Sequence, residues 1–158
     1  MTDESSLRKL RSEEGSLRKL RSETIHVDQF LAQPPAKVWR MLTEPDRLAR
    51  WWAAGDIRPE VGHRFTLDMG SWGMRPCTVT EVEPERLLSY TFGEGDVDWT
   101  ISWRLVAEGA GTRLFLEHGG FDLDDPRHQH AFTNMGRGWA GSVLPKLARE
   151  LEEEVAAS

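Results

Sequence analysis

From Arg58 to His118 the chain alternates apolar and polar residues with a period of two. The stretch "VDWTISWRLV" sets Val97, Trp99, Ile101, Trp103 and Leu105 on one side and Asp98, Thr100, Ser102 and Arg104 on the other. That is the pattern of a half-buried strand. "GHRFTLDMG" puts Phe65, Leu67 and Met69 together, and "RLLSYTFGE" does the same for Leu88, Tyr90 and Phe92. "RPCTVTEVE" lies between them, and "TRLFLEH" turns Leu114, Leu116 and His118 inward before the two glycines of "RLFLEHGGF" end the strand. Turn residues separate the runs at Gly70–Gly73, Pro84-Glu85, Gly93–Gly95 and Gly109–Gly111. Short turns between alternating runs predict antiparallel neighbours.

The flanks read differently. "TIHVDQFLAQ" predicts a first strand. "PPAKVWRMLT" opens on proline, which the first turn of a helix tolerates, and gathers Val38, Trp39 and Leu42 on one face. "EPDRLARWWA" restarts a helix, with Thr43 and Asp46 at capping-box spacing. "DLDDPRHQHAFTNMGRGWAGSVLPKLARELEEEVAAS" predicts a long helix, capped by Asp125 with Pro126 at its first position. Phe132, Met135, Trp139, Val143, Leu147 and Leu151 form its apolar stripe. Pro145 removes one backbone bond and predicts a kink, with Gly141 at the carbonyl that its ring crowds. A sheet with one apolar face needs a cover, and only this helix is long enough. The expected fold is α+β: a curved antiparallel sheet of about six strands wrapped round a long C-terminal helix, with two short helices after the first strand.

Residues 1–23 stand apart. "ESSLRKLRSE" is followed at once by "EGSLRKLRSE". On a helix Leu7, Leu10, Leu17 and Leu20 fall within an arc of roughly 140°. Gly15 costs such a helix about 1 kcal/mol relative to alanine. The expectation is a solvated arm that packs on a partner subunit, or a frayed duplicated tail, ahead of a domain at 24–158.

Composition narrows the function classes. A chain of 158 residues with net charge −6 suits one domain and argues against nucleic acid as the main partner. No apolar run approaches the ~20 residues of a membrane span, and no signal segment is read at the start. One cysteine, Cys77, makes no internal disulfide, and a cytoplasmic location is expected. Seven tryptophans beside one tyrosine and six phenylalanines point to a large aromatic core or to an aromatic-walled cavity.

Taken in order, "PPAKVWRMLTEPDRLARWWA", "VGHRFTLDM", "TVTEVEPERLLSYTF", "VDWTISWRLVAEGAGTRLFLEHGGF" and "GRGWAGSVLPKLARELE" resemble the helix-grip fold of the START-like (SRPBCC) superfamily. Within it they are similar to the family named for the activator of the heat-shock-protein-90 ATPase (AHSA-like). The resemblance spans about residues 25–152. It implies a cavity between sheet and long helix, since relatives bind lipids, hormones and polyketides, some as cyclases or dehydratases, while others act on a chaperone. It also places a histidine before "GF", so the position of His118 is in part architectural.

The inward residues Phe65, Leu67, Met69, Tyr90, Phe92, Trp99, Ile101, Trp103, Leu114, Leu116, Phe132, Met135, Trp139 and Val143 are plain core if packed and ligand-lining if a cavity is open. Trp99, Trp103, Met135 and Trp139 are the first choices for ligand contact. His118 is either satisfied by backbone or is a polar handle that orients a ligand or moves a proton. Asp96, Asp98, Asp122, Asp124 and Asp125 read as turn and cap residues, although a carboxylate beside His118 would support acid–base chemistry. His128 and His130 split around a helix, Cys77 has no base beside it, and "GSWGM" and "GRGW" lack the context of a phosphate loop. No metal, no cofactor and no catalytic residue is expected. The expected function is non-catalytic binding of a small hydrophobic or aromatic molecule. The ligand site is Phe65, Leu67, Met69, Tyr90, Phe92, Trp99, Ile101, Trp103, Leu116, His118, Met135, Trp139 and Val143. The alternatives are a chaperone-associated or stress-response interaction protein and a polyketide-cyclase-like enzyme. A homodimer through the arm and a chaperone partner remain open.

Overall fold

A computed structural model describes residues 22–93 and 99–157. Residues 1–21 of the tandem arm expected at 1–23, and the turn and strand start expected at Asp96, Val97 and Asp98, lie outside the described residues.

The chain runs β1 (Ser22–Leu31), α1 (Pro35–Thr43), α2 (Pro45–Trp51), β2 (Ala54–Gly55), β3 (Arg64–Asp68), a 3-10 turn (Gly70–Trp72), β4 (Met74–Glu83), β5 (Leu87–Thr91), β6 (Thr100–Glu108) and β7 (Gly111–Asp122). The C-terminal part is α3 (Pro126–Gly138), a π-helical turn (Trp139–Val143) and α4 (Leu144–Ala157). The strands form one antiparallel sheet in the order β1-β7-β6-β5-β4-β3-β2. It has seven strands where about six were expected, because the two-residue β2 adds an edge through Ala54↔Asp68 and Gly55↔Leu67. A segment that short carries no periodicity of its own. The helix-grip architecture is otherwise as the alternation predicted.

The core lies between the sheet and the helices. Trp103, Tyr90, Leu88, Ile101 and Leu114 are fully buried from the sheet side, and Leu144, Leu147 and Leu151 close over them. Burying each large side chain contributes about 1.5–3 kcal/mol. Trp103 donates its indole N–H to the Tyr90 hydroxyl (2.8 Å), and Trp51 donates its own to the Met41 carbonyl (2.9 Å). Both aromatic donors are therefore satisfied inside the core.

Three local readings are corrected. The glycines do not end β7, which runs on to Asp122 and buries Phe121. Between the pairs Ile25↔His118 and Glu23↔Phe121, two residues of β7 face one of β1, which is a bulge. Gly120 takes φ 95° there, open to glycine but strained for any other residue. Thr43 does not cap α2: its hydroxyl donates to the Trp39 carbonyl inside α1 (2.8 Å), and Glu44 stands at the cap position. The kink expected at Pro145 is met instead by a π-helical turn just before it, in which the Leu144 N–H reaches back five residues to the carbonyl of Trp139. The extra residue moves the buried stripe from Trp139 to Leu144, then to Leu147 and Leu151. Val143 is left half-buried at the edge of the core. No described helix is long and apolar enough to cross a membrane.

Candidate functional site

β7 carries His118 between Ile101 of β6 and Ile25 of β1, on the face that the alternation assigned to it. Its ring is buried among the rings of Phe92 (5.5 Å), Trp99 (5.6 Å), Phe121 (4.8 Å) and Trp139 (6.1 Å). Trp139, held over the sheet by the π-helical turn, donates its indole N–H to His118 Nδ1 (3.1 Å). That bond uses the lone pair of Nδ1, so the ring proton sits on Nε2. Nε2 has no hydrogen-bond partner among the described residues. Burial pushes the His118 pKa down to about 3, so the imidazole is neutral near pH 7. The group is a buried, neutral N–H donor.

An apolar chamber of about 140 Å³ adjoins it, walled by Met69, Phe92, His118, Met135, Trp139 and Val143, with Trp52 and Gly138 completing the wall. An outer chamber of about 160 Å³ shares Met69, Phe92 and Met135 and opens between the 3-10 turn and α3 past Trp72, Arg75, Ala131 and Asn134. The two form one cleft between the end of the sheet and the middle of the C-terminal helices. No described carboxylate lines either chamber.

Six of the expected site residues thus meet at the inner chamber: Met69, Phe92, His118, Met135, Trp139 and Val143. Leu67, Tyr90, Ile101, Trp103 and Leu116 are buried in the core. Trp103 stands one layer back, its ring 5.5 Å from Trp139 and 6.1 Å from Trp52. Phe65 packs edge-on against Tyr90 (5.2 Å) and borders a separate surface hollow. Trp99 stacks at a tilt on Phe121 (4.6 Å), beside His118, and its indole N–H has no partner among the described residues. Of the wider inward set, Leu114 is core and Phe132 packs edge-on on Phe121 (5.4 Å).

Trp52, Trp72, Arg75 and Asn134 were not foreseen. Trp52 follows α2 with φ −135° and ψ −78°, a break that swings its ring to 5.0 Å from Trp139. Arg75 did leave a signal. Cys77 and Val79 are buried on β4, so period two sets Arg75 on the same inner face, opposite the buried Leu67.

The other titratable candidates are structural. His128 Nδ1 accepts from the Asp122 backbone N–H (2.9 Å), and Asp125 caps α3 by accepting from Arg127 N–H (2.9 Å). Burial pushes the Cys77 thiol up to about 12, which leaves it protonated and a poor nucleophile. Among the described residues no group of three or more metal-ligating side chains is found.

Residues 32–152 match the model of a family described as activator of Hsp90 ATPase homolog 1-like protein. Protein MLL2253 from Mesorhizobium loti is 31% identical, over 86% of this chain and 98% of that one, with a TM-score of 0.72. CalU16 from Micromonospora echinospora is 28% identical, over 86% and 80%, with a TM-score of 0.67. The Aha1 dimer from Colwellia psychrerythraea shares the fold at 18% identity, over 72% and 87%, with a TM-score of 0.57. No curated protein matches the chain.

Proposed function

The chain belongs to the activator of Hsp90 ATPase homolog 1-like family, and from that premise we propose that it binds a small, flat apolar or aromatic molecule in the cleft beside His118. The observation that carries this reading is an apolar chamber whose wall holds a buried imidazole with an N–H that has no partner among the described residues. Leaving such a donor unmade costs about 1–3 kcal/mol, which a ligand acceptor recovers on binding. The chamber beside His118, about 140 Å³, has room for one small ring. Affinity comes from burying the ring against Phe92, Met135 and Trp139, and orientation comes from His118.

Acid–base catalysis has less support. Trp139 occupies the Nδ1 lone pair, and burial keeps the ring a weak base. A protein-partner reading draws on Trp72, at the cleft mouth, and Met74, at the start of β4, which are 61% and 60% exposed.

The test is a tryptophan-fluorescence titration with a panel of apolar and aromatic compounds. Saturable quenching is expected, and Met135→Phe and Val143→Phe, which fill the chamber without adding a tryptophan, should weaken it about tenfold or more. No response from the folded protein across the panel rejects the reading and moves attention to Trp72 and Met74.

A further inference from the structure

The outer chamber gives the ligand a chemical class. In a chain of net charge −6, its wall carries one cation, Arg75, and no carboxylate among the described residues. Arg75 is half-buried on the inner face of β4, paired in register with Leu67. Among the described residues it makes no ion pair with a carboxylate, whereas Arg40, Arg47, Arg113 and Arg127 each do. The acid next along, Asp68, is exposed on the opposite parity, and its Oδ1 accepts from Gly70 N–H (2.9 Å). Asn134 faces the same space. Its Nδ2 lies 2.8 Å from His130 Nε2, and the amide keeps a second hydrogen to donate.

A guanidinium at the rim of an apolar cleft, without a carboxylate partner among the described residues, is a fork for a carboxylate. Deeper in stands the His118 N–H, with apolar walls between the two. We propose that the ligand is an aromatic acid, its carboxylate on Arg75 at the mouth, its ring between Phe92 and Met135, and an acceptor at its far end on His118 Nε2. This assignment rests on the pocket reading above and narrows it to one charge and one orientation.

4-Hydroxybenzoate and its uncharged isostere 4-hydroxybenzamide are the probes, titrated against the full chain by calorimetry and by the methyl NMR signals of Met69 and Met135. The acid should bind about tenfold or more tightly than the amide, the worth of one charge-assisted pair. Arg75→Gln should abolish that preference by weakening the acid about tenfold or more, with a much smaller loss for the amide, while Arg64→Gln, on the outer parity of β3, should leave the preference intact. The acid preference should also shrink as salt is raised. Equal binding of acid and amide by the parent protein, or a preference that survives in Arg75→Gln, overturns the aromatic-acid assignment while the pocket reading stands. Methyl signals that move with no compound, charged or neutral, overturn the pocket reading and this assignment together.

Discussion

Among single residues, His118 ties stability to pH most directly. Its folded pKa of about 3 lies below the ordinary histidine value of about 6.5. Above pH 6.5 the ring is neutral in both folded and unfolded chains and adds no pH dependence. As pH falls below that, the unfolded chain takes up a proton that the folded chain refuses. Stability should therefore fall by about 1.4 kcal/mol per pH unit from near 6.5 towards 3. Urea unfolding across that range should show the slope, and His118→Phe should remove this component. Trp139→Phe deletes the donor to Nδ1 and should cost about 1–3 kcal/mol at neutral pH, read from the same unfolding curves. The inward parity of His118 was legible in "RLFLEHGGF", because Leu114 and Leu116 set the phase. Its indole partner was not, since twenty-one residues separate the two and no local pattern joins them.

The scale of elements shows where periodicity gave out. β6 was plain in the sequence, with Ile101, Trp103 and Leu105 buried and their neighbours turned out. The C-terminal helix was plain as a stripe, but not as a stripe that skips a residue. A π-helical turn depends on how Trp139 and Leu144 both reach the core, and local spacing does not record that. Two glycine substitutions separate the elements by what surrounds them. A Cβ at Gly141, in the π-helical turn, meets nothing within 4 Å, so Gly141→Ala should raise stability by about 0.5–1 kcal/mol. A Cβ at Gly111, at the start of β7, would lie 2.5 Å from the Leu31 carbonyl oxygen and 2.7 Å from the Phe30 ring. Gly111→Ala should destabilise by about 1–3 kcal/mol, the usual cost of overpacking. Thermal or urea unfolding of the two variants checks both signs.

For the molecule as a whole, the element order and the inner face of the sheet were legible because strand alternation and turn residues are local signals. The cleft was only partly so. Sequence parity gathers every inward residue into one set and does not divide packed core from chamber wall. The division comes from the crossing of three distant segments: the 3-10 turn after β3, the residue beyond α2 that turns Trp52 back, and the π-helical turn that holds Trp139. Trp103 on its strand and Trp139 on its helix both read as inward-facing and both are buried, yet only Trp139 lines the chamber.

In the proposed function His118 offers a neutral Nε2–H to a molecule held in that chamber. The most direct measurement is the imidazole nitrogen NMR spectrum of the labelled protein at pH 7, recorded before and after saturation with a binding compound. The expected result is a neutral ring protonated at Nε2 in the free protein, and a Nε2–H signal that moves in step with binding. A doubly protonated ring at pH 7, or a Nε2–H signal unchanged by a compound that saturates the protein, would contradict it.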